Sequence, residues 1–163
     1  MRVIVVHPPV SIAKDFIDYP YFADLGAVQL AAVLRERGHE VVLVDAYALP
    51  RSGMYVREGR YHLGAPLDDL GPLIAAAGQV DAVVVVYTPF HRPPHRDALY
   101  AGLLRGVRAI HQGVPIVIAD AYQSGQHYVE SDGVLAAYPE ADAWVKYEAE
   151  VTVPALLDAL AAG

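Results

Sequence analysis

The chain has 163 residues, of which 55% are hydrophobic, and 19 acidic against 12 basic side chains give a net charge of −7 at pH 7. This charge disfavours a nucleic-acid partner, and the absence of cysteine excludes disulfides, iron–sulfur ligation and thiolate zinc sites. The length predicts a single domain, residues 1–163, with a substantial core. We expect a cytoplasmic protein without a membrane partner, because there is neither a signal peptide nor an apolar run of roughly eighteen residues.

The first predicted strand covers residues 2–6 and ends at His7, which two prolines follow. Proline has no N–H to donate to a central strand, so the strand cannot continue through them. Residues 10–23 are predicted to form a long loop. Its many aromatic side chains suggest that the loop packs down over another part of the protein.

The clearest helix of the sequence follows this loop. Asp24 is placed to cap its first turn, because a carboxylate can accept hydrogen bonds from unpaired backbone N–H groups. Gly38 supplies the left-handed residue that commonly ends a helix. The apolar face is formed by Ala27, Leu30, Ala31 and Leu34. Residues 41–44 are apolar at successive positions, which is typical of a strand covered on both faces, as in a parallel sheet.

The rest of the chain repeats this unit of helix and strand. The predicted elements are a hairpin over 55–62, helices over 67–77, 97–111, within 126–137 and over 151–162, and strands over 82–86, 114–119 and 143–146. This alternation indicates a doubly wound α/β fold with helices on both faces of a five-stranded parallel sheet. The expected strand order is Rossmann-like, 2-1-3-4-5 or a relative of it, which brings ligands to the carboxyl ends of the strands.

The sequence lacks the residues that several familiar kinds of ligand or phosphorylation site require at that edge. Dinucleotide binding needs G-x-G-x-x-G after the first strand, where His7 and two prolines stand instead, and there is no Walker A sequence. Asp45 holds the position of a ribose-binding acid, but capping of its own loop is the simpler interpretation. A phospho-accepting receiver needs clustered acids after the first and third strands, and these are missing.

Metal and hydrolase sites are also disfavoured. His91 and His95 are four residues apart, but the two prolines between them make a shared helical face improbable. Ser124, His127 and Asp132 could form a catalytic triad, yet no nucleophile elbow surrounds the serine. We therefore assign no catalytic residue and no metal ligand. A small-molecule enzyme that uses Asp45 or His7 is a distant hypothesis.

What remains at the predicted strand ends is an edge of aromatic and small residues. Its members are Tyr87, Thr88, Pro89, Phe90, Ala119, Ala121 and Tyr122. Such a surface suits a large, flat, mostly apolar ligand that a few hydrogen bonds hold in place. An equal alternative is that these rings cover the core or contact another domain.

A series of short motifs spans nearly the whole chain. They are Pro8-Pro9, the segment LGAVQLAAVL at 25–34, GHEV at 38–41 with Asp45, DAWV at 142–145, EAE at 148–150 and PALL at 154–157. This series resembles the N-terminal cobalamin-binding domain of B12-dependent radical SAM enzymes. The closing stretch is similar to the Gly-Glu-x-Glu segment that ends that domain, with Tyr147 in the place of its glycine.

The resemblance implies a Rossmann-like domain that holds cobalamin across the carboxyl edge, with the nucleotide tail beside the sheet. The resemblance and the predicted strand ends together give the expected cofactor-binding residues. They are His7, Tyr87, Thr88, Pro89, Phe90, Ala119, Asp120, Ala121, Tyr122, Tyr147 and Glu148. The family often has Gly-Gly where Ala119 and Asp120 stand. No histidine is implied as a cobalt ligand, because the Asp-x-His-x-x-Gly loop of methionine-synthase-type domains is missing.

The resemblance also implies that the catalysis lies elsewhere. In the family, a following barrel binds S-adenosylmethionine and holds a 4Fe–4S cluster through three cysteines, whereas this chain has none. We expect a non-catalytic cobalamin-binding module that works with a radical SAM barrel, in cis or in trans, in a methyltransferase or rearrangement enzyme. The alternative is a cofactor-free interaction domain whose pocket is filled by Tyr87, Tyr122 and Tyr147.

Overall fold

A computed structural model describes residues 1–15, 25–91, 96–121 and 133–162. The strands are β1 Arg2–His7, β2 Val10–Ala13, β3 Glu40–Asp45, β4 Gly53–Arg57, β5 Arg60–Gly64, β6 Ala82–Tyr87, β7 Ile116–Asp120 and β8 Ala143–Val145. The helices are α1 Gly26–Glu36, α2 Leu67–Ala76, α3 Ala98–Ile110, α4 Val134–Ala137 and α5 Ala149–Ala162, with a 3₁₀ turn at Pro89–His91.

The main sheet is parallel and five-stranded, in the order β3-β1-β6-β7-β8. Numbered among themselves, these strands stand in the order 2-1-3-4-5, so the predicted doubly wound architecture is confirmed. Strand β6 lies at the centre, and all six of its residues are buried. Its unbroken apolar sequence follows from this position, because neither face of the strand meets water.

Helices cover both faces of the sheet, because successive side chains of a strand point to opposite sides. Ile4 of β1 and Val83 of β6 pack in the cluster that holds α2 and α3. Val3 and Val84, one position away, pack in the cluster that holds α1 and α5. Within the described residues, no helix combines the length and hydropathy that crossing a membrane requires.

A second, antiparallel sheet of three strands, in the order β2-β5-β4, lies beside the main one. The predicted hairpin is confirmed, and it turns at Glu58 and Gly59, which both have positive φ (52° and 77°). The predicted loop over 10–23 is wrong at its start, because Val10–Ala13 forms β2 and pairs with β5. Only the distant strand β5 makes this four-residue segment a strand, so its local sequence carried little signal.

Other boundaries differ slightly from those expected. The first helix begins at Gly26 after Leu25, and Asp24, its predicted cap, lies outside the described residues. The described part of the helix predicted within 126–137 is the four-residue α4. Helix α5 begins two residues earlier than predicted, at Ala149.

Truncation of a buried side chain in β2 tests whether the small sheet is part of the cooperative fold. Ile12 is 2% exposed and packs with Val10 and Leu63. We expect Ile12→Ala to lower the free energy of unfolding by about 2–4 kcal/mol in urea titrations, because it leaves a cavity. In the control, Val56→Ala on the exposed strand β4, the change should stay within about 0.5 kcal/mol. Equal effects of the two substitutions would contradict the packing of β2.

Candidate functional site

The carboxyl ends of the parallel strands lie side by side. His7 at the end of β1 is in register with Asp45 at the end of β3, and Tyr87 of β6 is in register with Asp120 of β7. The sheet thus brings the strand-end residues to one edge, as expected. Tyr122, also predicted for this edge, lies outside the described residues.

A histidine–aspartate pair closes one end of this edge. His7 Nδ1 lies 3.0 Å from Asp45 Oδ1, and the Tyr47 ring packs on the imidazole with the centroids 4.7 Å apart. The Tyr47 N–H donates to the same carboxylate oxygen at 2.9 Å, so Asp45 does cap its own loop. Because His7 is only 2% exposed, it offers almost no surface to a ligand in this structure.

The charge state of Asp45 follows from these contacts. Burial by itself raises the pKa of the carboxyl, but the hydrogen bonds from His7 and from the Tyr47 N–H lower it by more. The net pKa lies below the ordinary value, so Asp45 is an anion at neutral pH. The pair holds its loop in place. Because the Asp45 carboxylate is ionised, it has no proton to donate.

The turn that follows β6 is held together by Thr88 and His91. The Thr88 N–H donates to His91 Nδ1 at 3.1 Å, and the Thr88 hydroxyl lies 3.2 Å from the same nitrogen. The N–H of Phe90 donates to that hydroxyl at 3.4 Å. Thr88 is 4% exposed, so its polar groups serve the turn and are not presented to solvent.

His91 is fully buried and neutral. Because Nδ1 accepts the Thr88 N–H, the ring proton belongs on Nε2. Burial lowers the pKa of His91 to about 3, with the Pro9 backbone raising it and His7 lowering it to smaller extents. The ring stacks on Tyr100 with the centroids 4.2 Å apart. This histidine is therefore part of the framework beneath the edge.

Tyr87 also belongs to the core in this structure. Its ring is fully buried and lies edge-on to Tyr100, Tyr138 and Trp144, at centroid distances of 6.0, 6.4 and 6.4 Å. The Tyr138 hydroxyl donates to the His91 carbonyl at 2.6 Å, which ties the end of α4 to the turn after β6. The Tyr87 side chain thus contacts other rings below the edge and offers no surface to a ligand.

A seam of small residues runs between the start of α1 and the end of β7. A Cβ on Gly26 would lie 2.2 Å from the carbonyl oxygen of Ala121, so only glycine permits this approach. Ala119 is fully buried, and Ala121 is 2% exposed. Ala27 and Ala149 pack in the same cluster. We call these five residues the small-residue seam, and it is closed in this structure.

Among the described residues, the accessible part of the edge is formed by Pro89, Phe90, Asp120, Tyr147 and Glu148, which we call the rim. The first three are half-buried, whereas Tyr147 is 49% exposed. The Lys146 ammonium lies 4.8 Å from the centroid of the Tyr147 ring, within the range of a cation–π contact. The rim therefore combines aromatic surface with two carboxylates.

Glu148 has a left-handed backbone, with φ of 45°. Its carbonyl accepts the N–H groups of Val151 and Thr152 at 2.8 and 2.9 Å, which fixes the first turn of α5. A left-handed conformation costs a non-glycine residue roughly 1–2 kcal/mol. The left-handed conformation, which glycine favours, is thus adopted by Glu148. The glycine of the Gly-Glu-x-Glu segment would stand one residue earlier, at Tyr147.

The described residues of this edge do not form a set of metal ligands. Within the described residues, no three His, Asp or Glu side chains are grouped so that they could hold an ion. His7 and His91 are each engaged as described. Sequence reasoning missed the Thr88–His91 contact, because the 3₁₀ turn creates it. The His7–Asp45 contact had a usable signal, since both residues directly follow strands that are adjacent in a 2-1-3-4-5 sheet.

Relief of the strain at Glu148 is measurable. We expect Glu148→Gly to raise the free energy of unfolding by about 0.5–1 kcal/mol, because the steric cost of the left-handed backbone exceeds the extra chain entropy of glycine. Glu150→Gly, in the first turn of α5, is the matched control and should lower stability by about 1 kcal/mol. Urea unfolding of both variants measures the difference, and a loss of stability in Glu148→Gly would contradict the strained backbone.

The buried His91 predicts acid sensitivity. The unfolded chain binds a proton near pH 6.5, whereas the folded state, with a pKa of about 3, does not. The contribution of neutral His91 to the free energy of unfolding is therefore complete above pH 6.5, and it is lost progressively as the pH falls towards 3. From pH 7 to pH 5.5 we expect this histidine to lower the free energy of unfolding by about 1 kcal/mol in urea titrations. His91→Gln should show a flatter pH dependence, and an unchanged slope would contradict the neutral buried ring.

No protein-family model matches the sequence, and neither does any curated protein. What the fold supplies is a parallel sheet edge with an accessible aromatic rim and a closed seam of glycine and alanine beside it.

Proposed function

We propose that this chain is a cobalamin-binding module of, or partner to, a B12-dependent radical SAM methyltransferase or rearrangement enzyme. The observation that carries the proposal is the small-residue seam next to the rim, at the carboxyl edge of a 2-1-3-4-5 sheet. This is the edge at which doubly wound sheets bind ligands. Cobalamin has two parts, a flat macrocycle with amide side chains and a nucleotide tail. The rim suits the macrocycle as it stands, whereas the seam would admit the tail only after it opens.

The rim suits the macrocycle. Phe90, Pro89 and Tyr147 offer apolar and aromatic surface to its flat face. The carboxylates of Asp120 and Glu148 are acceptors for the N–H groups of amide side chains. A few such hydrogen bonds beside an apolar surface are typical of cofactor sites.

The seam suits the tail only after a local movement. Gly26 and Ala121 are in backbone contact, so a tail could enter beside β7 only if the first turn of α1 moved away from residues 119–121. Alanine and glycine bury little side-chain surface, so their separation sacrifices less packing than the separation of larger residues. Ala119 then borders the space without filling it.

The chain's own residues supply position and environment. When bound, cobalamin supplies a cobalt centre that carries a methyl group or an electron. His7 and His91 do not coordinate it, since both are buried and engaged elsewhere. The cluster and S-adenosylmethionine belong to a radical SAM barrel in the same or another chain, because this chain has no cysteine to ligate a cluster.

A second candidate function is that of a cofactor-free interaction domain. It is favoured by one specific observation, the closure of the seam by the contact of Gly26 with the Ala121 carbonyl. In that case the rim contacts a protein surface in place of a macrocycle. Cobalamin binding separates the two candidates directly.

We expect hydroxocobalamin to bind the purified chain at tens of micromolar, with a change in its visible spectrum and co-elution on gel filtration. Tyr147→Ala should weaken binding about tenfold or more, because the ring is exposed on the rim. Tyr55→Ala, on the exposed strand β4, is the matched control and should bind normally. Tryptophan at the fully buried Ala119 would test packing as well as binding, so the exposed pair is the cleaner choice.

Two results would overturn the assignment. One is the absence of both co-elution and any spectral change with the wild-type chain. The other is binding that Tyr147→Ala and Tyr55→Ala weaken equally, which would put the vitamin away from the rim. The first result would favour the cofactor-free candidate, and the second would place the binding site elsewhere on the chain.

A further inference from the structure

A cavity that shares Phe90 with the rim lies between the small antiparallel sheet and the start of α3. It measures about 610 Å³, within the range of small-molecule sites. The described residues that line it include Arg57, Arg60, Arg96 and Arg105. We call this cavity the arginine pocket. The cobalamin proposal uses none of its arginines.

The sign of charge in the arginine pocket is opposite to that of the chain. The whole sequence has 19 acidic and 12 basic residues, whereas among the described residues four arginines and two carboxylates, those of Glu58 and Asp97, line this cavity. The Asp97 carboxylate already accepts the Tyr100 N–H at 2.7 Å as the cap of α3. The cavity therefore attracts anions in an otherwise acidic protein.

The two hairpin arginines retain capacity to bind an anion. Arg60 donates to the hydroxyl and the carbonyl of Ser11 at 2.7 and 3.0 Å, and no carboxylate of the described chain lies within 4.0 Å of it. The nearest carboxylate to Arg57 is that of the adjacent Glu58, at 4.0 Å. A guanidinium has five N–H donors, so these contacts leave several donors for a ligand.

Helix α3 and the residues just before it supply arginines on the side of the cavity opposite the hairpin. Arg96 is paired with Glu140, and Arg105 lies 3.8 Å from the same carboxylate, so one acid is shared by two guanidiniums. Arg57 and Arg60 come from the hairpin, whereas Arg105 comes from α3. A phosphate monoester has three terminal oxygens and two negative charges. It can therefore bind guanidiniums from both sides of the cavity, which a single carboxylate does less well.

The remaining wall is apolar or neutral. Phe90, Leu67 and Leu99 supply non-polar surface. His62 stands among Arg57, Arg60, Glu58 and Asp97, and its burial, the largest effect, lowers its pKa. At neutral pH it adds a hydrogen-bonding ring without adding charge.

We infer that the arginine pocket binds a small organic phosphate, a monoester dianion whose apolar or aromatic body rests against Phe90 and the neighbouring leucines. The guanidiniums of Arg57, Arg60 and Arg105 take the phosphate oxygens. The class of ligand follows from guanidiniums on two sides of the cavity, the hairpin and α3, and from the mixed polar and apolar wall.

Phenyl phosphate, inorganic phosphate and phenol are the probes, titrated into the full chain without cobalamin and followed by calorimetry. We expect saturable binding of phenyl phosphate, weaker binding of inorganic phosphate and none of phenol. Arg57→Gln and Arg105→Gln should each weaken phenyl phosphate about fivefold or more, because each removes a charged donor. Both side chains are largely exposed, so the fold should tolerate these substitutions. Arg37→Gln, at the far end of α1, is the matched control and should bind like wild type.

A histidine NMR titration gives an independent reading. A bound dianion should raise the pKa of His62, since the negative charge favours the imidazolium, and the shift should be smaller in Arg57→Gln. Absence of saturable binding, equal binding of phenol, or equal weakening by Arg37→Gln and Arg57→Gln would each overturn the inference. None of these outcomes bears on the hydroxocobalamin titration, so the two proposals fail separately.

Discussion

The structure depends on the requirement that both faces of the central strand β6 be covered. All six residues of Ala82–Tyr87 are buried, and each large apolar side chain left in water would forfeit on the order of 2 kcal/mol. Helices α1 and α5 meet this requirement on one face, and α2 and α3 meet it on the other. Because both faces are closed, a ligand approaches the sheet at its margins, and the carboxyl end is where the connecting segments begin.

At that end the polar groups divide into two sets. His7 with Asp45 and Thr88 with His91 contact each other, are largely buried, and hold the loops after β1 and β6 in place. The rim, by contrast, presents rings and carboxylates to solvent. A cofactor seated there would meet aromatic surface and acidic hydrogen-bond acceptors, while the imidazoles stay below and set the shape of the edge. The strained backbone of Glu148 lies on the rim itself, where such strain is often functional.

The rim and the arginine pocket share one element, the 3₁₀ turn at Pro89–His91. Phe90 of that turn belongs to the rim and also lines the arginine pocket, while His91 is anchored underneath by Thr88 and the Tyr138 hydroxyl. The two surfaces carry opposite chemistry, since one offers carboxylates and the other guanidiniums. The turn therefore separates an acidic surface from a basic one.

The sequence by itself determined the elements whose pattern is local. The apolar stripe of α1, the unbroken apolar run of β6 and the Glu58–Gly59 turn of the hairpin each follow from neighbouring residues, and with them the doubly wound class. Only the tertiary structure decided that Val10–Ala13 is a strand, because its partner β5 lies some fifty residues away. It also decided that Tyr87 points into the core, that Gly26 touches Ala121, and that arginines of a hairpin and a helix line one cavity. The physical reason is the same in each case: register and helix placement set which face a side chain takes and which distant residue it meets, and no local pattern encodes either.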